Sequence, residues 1–349
     1  MRRCIELASN GLGTVAPNPM AGCVIVQDGK IIGEGFHRKF GEAHAEVNAI
    51  NDAIKKHGEE ILSRSTLYVS LEPCTHTGKT PPCADLIIKT KIPIVYIGCI
   101  DPFPQVNGKG VERLRKAGIE VHDSVLEKEC RELNKRFFTF HEKNRPYIIL
   151  KYAQSKDGFI APLKSIENKQ SISNDYSRKL VHKWRSEAQA IMIGTNTAVA
   201  DNPFLTVRDW RGKNPLRVVI DRSLKLPTKL NIFNSDAPTL VFNEKKNERQ
   251  NGIEWVAVDF GKNFLNDVLQ QLYKREIQSV IVEGGAKLLQ SFINENLWDE
   301  ARIFIGDKWL GDGIKAPVLN GTVINEEEIV NDRLIVLNRE PLNFYLYIQ

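Results

Sequence analysis

Four residues of this 349-residue chain carry the clearest chemistry: His44, Glu46, Cys74 and Cys83. The first two lie in Glu42-Ala-His44-Ala-Glu46, Cys74 follows Glu72-Pro73, and Cys83 comes after eight further residues, directly behind Pro81-Pro82. One imidazole and two thiolates offer zinc three ligands and leave a fourth position to water, the layout of a catalytic site and not of a closed structural one. Zinc lowers the pKa of such a water towards neutrality. A carboxylate that does not bind the metal must then carry protons between the water and a leaving amine. Glu46 is placed for that role. Residues two apart do not share a helix face, yet at a helix start both can reach a common point. Cys83 is expected at a helix N-terminus, where the dipole favours thiolate.

Taken singly these signals are weak. His-x-Glu is a common tripeptide, and Cys74 and Cys83 read alone are ordinary buried thiols, as Cys4, Cys23, Cys99 and Cys130 are expected to be. The conjunction is specific: His-x-Glu opening a helix, a strand, Pro-Cys, then Cys at the next helix. It follows the zinc-deaminase pattern H-x-E and P-C-x-x-C, with the loop 75–82 longer than in that form. His76 is the one competing ligand in this loop, where a substrate contact or plain exposure is the simpler expectation.

These residues must be held by folded elements, and the chain has the means. It is 42% hydrophobic and 26% charged, with 5 Trp, 15 Phe and 8 Tyr, which excludes a disordered chain. Its length favours two domains. The longest apolar run, Ile92 to Ile100, contains a Pro and a Gly and reads as a buried strand, not a membrane span. Met1-Arg2-Arg3 has no apolar stretch behind it, so no secretory signal is expected and the cytoplasm is the expected location. In that setting the six cysteines are not a disulfide framework. A net charge of +5 suits anionic small substrates and is too small to argue for nucleic acid.

Strand and helix alternate through the first part. Helices are predicted over 2–9, 43–57 (stopping at Gly58), 84–90 and 110–117, and one basic amphipathic helix over 128–142. Strands are predicted at 66–70, 94–98 and 119–121, and a hairpin over 21–33 turning at Asp28-Gly29. Asn144-Arg145-Pro146 marks the boundary, dividing the chain into domains 1–144 and 145–349. The second series has strands at 147–150, 190–193, 216–220, 239–242, 279–282 and 301–305, with closing strands at 334–337 and 344–348. Lys151 to Gly158 reads as a hairpin on Asp157-Gly158. Glu283-Gly284-Gly285 places a glycine pair between strand and helix, a geometry that suits a pyrophosphate. A bare Gly-Gly is equally a simple turn, and it is not the G-x-G-x-x-G fingerprint.

Two stretches make a resemblance specific. Ser70-Leu-Glu-Pro-Cys-Thr-His-Thr-Gly-Lys-Thr-Pro-Pro-Cys83 and Ala16-Pro-Asn18-Pro-Met-Ala-Gly22-Cys-Val-Ile-Val resemble the riboflavin-biosynthesis deaminases. Gly194-Thr-Asn-Thr197-Ala-Val-Ala-Asp201-Asn-Pro-Phe-Leu205-Thr-Val-Arg208, with Arg185 and Glu283-Gly-Gly285, is similar to the reductase domain of the bifunctional members of that family. The resemblance implies a cytidine-deaminase-like α/β/α domain followed by a dihydrofolate-reductase-like α/β domain. It implies zinc-dependent deamination of a diamino-ribosylaminopyrimidinone phosphate, then NADPH-dependent reduction of its ribosyl group to ribityl, by an enzyme expected to be a dimer or tetramer. Carried over residue by residue, Ala153, Ser171, Thr197, Asp201, Ser223 and the segment from Gly285 face NADPH. Asn18, Lys169, Arg185, Leu205, Arg208 and Glu283 face substrate. Residues 169–174, Lys-Gln-Ser-Ile-Ser-Asn, depart from the family's Ser-x-Trp-Ile-Thr-Ser. Guanidinium groups suit a ribose phosphate, although either arginine taken singly is also an ordinary surface charge, and Asn18 between prolines is also turn punctuation. The proton for the new hydroxyl can come from Lys151, Asp201, Glu283 or water. Two alternatives differ in class. A tRNA-editing deaminase needs basic runs interleaved with aromatics in its tail, which the tail lacks. A non-catalytic zinc-stabilised module has no use for Glu46 beside an open position.

Overall fold

The computed structural model describes residues 1–77, 81–163 and 171–339, so Lys169 and the strand expected at 344–348 lie outside the described residues. The chain divides into two compact units, Met1–Arg145 and Pro146–Gln349.

The first unit runs α1 (Arg2–Ser9), β1 (Gly22–Gln27), β2 (Lys30–Phe36), α2 (Ala45–His57), β3 (Thr66–Val69), α3 (Cys83–Lys89), β4 (Ile94–Ile97), α4 (Lys109–Lys116), β5 (Glu120–His122), α5 (Glu127–Leu133) and α6 (Lys135–Lys143). Its sheet has the order β2-β1-β3-β4-β5. The β1–β2 hairpin is antiparallel, and β3, β4 and β5 are parallel. Successive strand residues face opposite sides, so the sheet is covered twice. Cys23 and Ile25 pack with Ala49 and Ile50 of α2, Ile87 of α3 and Leu114 of α4, while Gly22 on the other face lies against Cys4 and Ala8 of α1. Helix α2 sits unusually close to β2. A Cβ on Gly35 would fall 2.4 Å from the Ala49 nitrogen and 2.6 Å from the Ala45 carbonyl. That approach sets where α2 begins, and with it His44 and Glu46.

The single helix expected over 128–142 is two helices. They break at buried Asn134, whose side chain accepts from the Met20 N–H and donates to the Met20 carbonyl, both at 2.8 Å. A continuous helix would give up this pair of bonds to a segment 114 residues away, so the tertiary contact overrides the helical periodicity.

The second unit runs β6 (Tyr147–Gln154), β7 (Phe159–Ala161), α7 (Asp175–Glu187), β8 (Ala190–Gly194), α8 (Thr195–Asp201), β9 (Leu216–Ile220), β10 (Thr239–Asn243), β11 (Glu248–Gln250) and β12 (Ile253–Ala257). It continues with α9 (Phe264–Tyr273), β13 (Ser279–Gly284), α10 (Ala286–Asn294), β14 (Glu300–Ile305), β15 (Ile314–Lys315), β16 (Thr322–Ile329) and β17 (Asp332–Asn338). Among the described residues, ten strands form one sheet in the order β11-β12-β10-β9-β8-β13-β6-β14-β17-β16. The seven from β12 to β14 are mutually parallel, and antiparallel strands close both ends. Both faces are buried, as the continuous apolar runs demand: Ile148 and Leu150 point into a core with α9 and α10, and Tyr147 and Ile149 into one with α7. The Asp157-Gly158 turn forms, but β7 does not pair with β6. It pairs with β15, in a separate two-stranded sheet.

Strand β13, late in the chain, lies between β8 and β6. The order reverses there, and the C-terminal ends of strands flanking such a point form a crevice. Lys151 and Ala153 of β6, the β8–α8 junction, and Glu283 to Gly285 all belong to those ends.

Candidate active sites

In the first unit, His44, Cys74 and Cys83 bring their ligand atoms within 4.8 Å of one another. His44 caps α2 in extended backbone conformation, Cys83 is the first residue of α3, and Cys74 lies in the loop after β3. The His44 Nδ1 is 3.6 Å from the Cys74 Sγ and 3.4 Å from the Cys83 Sγ. Tetrahedral zinc with ordinary Zn–N and Zn–S bonds separates its nitrogen and sulfur ligands by about 3.5 Å, so the donor set and the spacing both fit the ion. The Cys83 N–H, free because it opens a helix, donates to the Cys74 Sγ at 3.4 Å. The Cys74 thiol is pulled down to about 4 by hydrogen bonds from the Cys83 thiol and His44. That shift favours the thiolate, the form that binds metal.

Glu46 stands in the first turn of α2, 4% exposed, with its carboxyl against the Cys83 thiol; burial pushes it up to about 7. His76 is outside the cluster. Its ring meets Phe103 edge-on at 5.9 Å, and its Nδ1 is buried without a partner among the described residues. Cys4, Cys23, Cys99 and Cys130 are buried free thiols.

Asn18 is brought to the same place through a residue the sequence did not single out. Its amide lies 3.2 Å from the Nε2 of His37, whose Nδ1 is 3.1 Å from the Ala43 carbonyl and whose ring stands 5.2 Å from that of His44. His37 is 2% exposed, and burial lowers its pKa, which keeps the ring neutral. A histidine at the end of β2 carries no spacing signal. The only hint was its nearness in sequence to His44.

In the second unit the expected residues separate into three groups. Thr197 lies against the glycine pair: its Oγ1 is 3.2 Å from where a Cβ would stand on either Gly284 or Gly285. Gly285 caps α10 with φ +77°, a conformation that favours glycine, and the first N–H groups of α10 have no partner within the helix. Ala153 sits in β6, Asp201 ends α8, and half-buried Ser223 lies in the turn after β9, held by the Asp221 carboxylate accepting from the Lys225 and Leu226 N–H groups. Ser171 is exposed, and its carbonyl accepts from the Lys308 ammonium.

Arg185 and Glu283 form the second group, a buried two-pronged pair at 3.1 and 2.7 Å, with the third guanidinium nitrogen donating to the Thr206 carbonyl at 3.2 Å. Burial alone would raise the Glu283 carboxyl. The guanidinium of Arg185 and the ammonium of Lys151 outweigh it and hold the carboxyl at about 2. Burial in turn lowers the Lys151 ammonium. Arg185 is therefore held against Glu283, with one N–H of each guanidinium nitrogen engaged inside the protein.

Arg208 and Leu205 form the third group. Leu205 is buried with φ +56°, which turns the chain so that Arg208 reaches the surface, its guanidinium 5.0 Å above the Phe204 ring. The Arg208 N–H donates to the Nδ1 of buried His182 at 3.0 Å. Asp209 turns away to Arg178 at 3.1 Å and to the His182 Nε2 at 3.6 Å.

Comparison with known proteins identifies the family of each unit. Residues 1–99 match the cytidine and deoxycytidylate deaminase zinc-binding region, and residues 146–334 the RibD C-terminal domain. The riboflavin biosynthesis protein RibD of Aquifex aeolicus is 43% identical over 319 residues, covering 90% of this chain and 88% of that protein. RibD of Escherichia coli is 36% identical over 329 residues, covering 89% and 88%. The crystal structure of a diaminohydroxyphosphoribosylaminopyrimidine deaminase/5-amino-6-(5-phosphoribosylamino)uracil reductase from Thermotoga maritima superposes with a TM-score of 0.88 at 40% identity, covering 97% of each chain. Acinetobacter baumannii RibD superposes at 0.86 with 34% identity, covering 97% of this chain and 98% of that one. The chain therefore belongs to the RibD family, zinc- and NADPH-dependent enzymes of riboflavin biosynthesis that join a pyrimidine deaminase to a reductase.

Proposed function

We propose that residues 1–144 are the deaminase domain and 145–349 the reductase domain, with His44, Cys74 and Cys83 holding zinc and Glu46 moving the proton. Zinc, when bound, supplies an acidified water at its open position. Glu46 is buried beside the cluster without being one of its three ligands, so its carboxyl is the group at hand to take a proton and return it to the leaving amine. Asn18, held by His37, offers its amide to the pyrimidine. The single observation that carries the deaminase half is the convergence of the three ligand atoms within 4.8 Å next to a buried, non-ligating carboxylate.

NADPH, when bound, supplies the hydride for the ribose carbonyl carbon. Ala153, Thr197, Asp201, Ser223 and the turn at Gly285 face the cofactor in this proposal. Arg208 takes the substrate phosphate and Arg185 holds Glu283 in place. Glu283 is kept ionised by its partners, which makes it a poor proton donor. Lys151, a buried ammonium facing that carboxylate, is the better donor to the new hydroxyl. Removing zinc with a chelator should stop ammonia release from the diaminopyrimidine ribosylamine phosphate yet leave NADPH oxidation with the deaminated substrate intact. Ammonia release that survives full zinc removal would refute the deaminase half. A cytoplasmic dimer or tetramer completes the proposal, to be tested by fractionation and light scattering; among the described residues no helix is long and apolar enough to cross a membrane.

A further inference from the structure

Among the described residues, two buried carboxylates of the first unit, Glu72 and Asp101, remain outside that proposal. Glu72 is 3% exposed, and among the described residues its carboxylate has no ion-pair partner; it accepts four backbone N–H groups. Its Oε1 accepts from Gly110 at 2.7 Å and Val111 at 3.2 Å, and its Oε2 from Gly108 at 2.9 Å and Asp101 at 3.2 Å. Three of these donors belong to the start of α4, whose first N–H groups have no partner within the helix. The charge also sits favourably at the positive end of the helix dipole. A second contact acts on the next residue. A Cβ on Gly110 would fall 2.3 Å from the Pro73 carbonyl, so the first turn of α4 is pressed directly onto the Pro73–Cys74 peptide.

The consequence falls on Cys74, the metal-cluster residue that neither caps nor opens a helix but lies in the loop after β3. Its carbonyl accepts from the Ala84 N–H at 3.2 Å and its Sγ from the Cys83 N–H, so α3 holds it on one side. On the other side the Glu72 N–H donates to the Cys99 carbonyl at 3.0 Å, which fixes the start of the loop and leaves the Pro73–Cys74 peptide to be held by the contacts with α4. We propose that Glu72 and Gly110 form a lock between α4 and the Pro73–Cys74 peptide that fixes the Cys74 Sγ for the metal, making Glu72 a positioning residue of the zinc site. The proposal rests on the assignment of His44, Cys74 and Cys83 as the metal's holders.

Glu72→Gln keeps the size of the side chain, but its amide turns an NH2 group towards two of the four donors. Zinc affinity measured by chelator competition should fall about 10–100-fold, the scale for groups that orient metal ligands. The visible absorption of the cobalt-substituted protein should shift, because the sulfur moves relative to the ion. Gly110→Ala, acting from the other side of the same contact, should do likewise. A lock coupled to the metal must also work in reverse. In the unsubstituted protein, loading zinc should slow hydrogen exchange at the amides of Asp101, Gly108, Gly110 and Val111, a measurement that needs no variant to fold. Unchanged zinc affinity and an unchanged cobalt spectrum in Glu72→Gln, with melting temperatures lowered equally with and without zinc, would overturn the proposal; so would exchange at the four amides that ignores zinc. Full zinc binding by Cys83→Ser would instead refute the ligand assignment beneath it.

Discussion

In the first unit, ligand atoms drawn from residues 44 to 83 converge within 4.8 Å, each delivered by a helix start or the loop beside one. In the second, Arg185 and Glu283 meet across 98 residues of chain, and Thr197 reaches the Gly284–Gly285 turn because β13 inserts beside β8. The first site depends on local geometry: free N–H groups at helix N-termini, a capping histidine and two thiols that want the same ion. The second depends on strand order, which brings together groups whose separation in sequence carries no code. Sites of the first kind should fail completely when one member is lost. Sites of the second kind should degrade by steps, since their members contribute separately to binding and to chemistry.

The largest effect should come from the ligands. Cys74→Ser and Cys83→Ser should drop bound zinc towards zero and abolish deamination, because a hydroxyl is a far poorer soft donor than a thiolate. Cys99→Ser and Cys130→Ser, at buried thiols outside the cluster, should leave zinc unchanged. Metal analysis of the four purified variants decides this, and full occupancy in the Cys83 variant would return His76 to consideration. Next comes Glu46→Gln, which should keep zinc and lose deamination by about 10²–10⁴-fold, the scale of general acid–base catalysis. Reductase turnover on deaminated substrate should survive. Wild-type ammonia release from this variant would remove Glu46 from the mechanism.

The second unit should respond more gently. Arg208→Ala should raise the reductase KM for substrate by roughly 10–150-fold, the value of a charge-assisted contact made before and during hydride transfer. The Kd for NADPH should hardly move, and Arg208→Lys should recover only part of the loss, since an ammonium lacks the two-pronged geometry. An altered NADPH Kd with an unchanged substrate KM would exchange the two assignments.

The smallest effect is a pH dependence through His182. Its Nδ1 accepts the Arg208 N–H, so the ring must be neutral there, and burial followed by the charge of Arg185 lowers its pKa below the ordinary 6.5. Arg208 lowers it further, while Asp209 and Glu283 pull the other way. A depressed histidine pKa favours the folded arrangement fully above about 6.5, and that contribution is lost as the pH falls through the folded value. The substrate KM should therefore be flat above pH ~6.5 and rise a few-fold on acidification. His182→Asn, which keeps an acceptor but cannot titrate, should flatten the acid limb. A limb that persists in this variant belongs to another group.

Local chemistry accounts for what the sequence disclosed. The residues of the cluster were legible because helix starts advertise themselves: Pro81-Pro82 before Cys83, and His44 at the start of an apolar-periodic run that stops at Gly58. The parallel strands were legible as apolar runs, because a strand buried on both faces needs no polar alternation. The break at Asn134, the use of Arg185 as a partner for Glu283, and the seat of His37 beside His44 were not. Each depends on a group that arrives from elsewhere in the chain.

By itself, then, the order of residues determined the cluster of His44, Cys74 and Cys83, the placing of Glu46 beside it, the glycine turn after β13 and a division close to Arg145, all of which arise within short windows where backbone propensity and side-chain chemistry act directly. Only the tertiary structure decided which charges are spent inside the protein. Arg185 and Arg208 are the same residue type in neighbouring segments, yet one is buried against Glu283 and the other reaches the surface over Phe204. Burial makes that difference. A guanidinium removed from water must be paired, and which carboxylate pairs it is fixed by where the strands cross, not by the residues on either side of it.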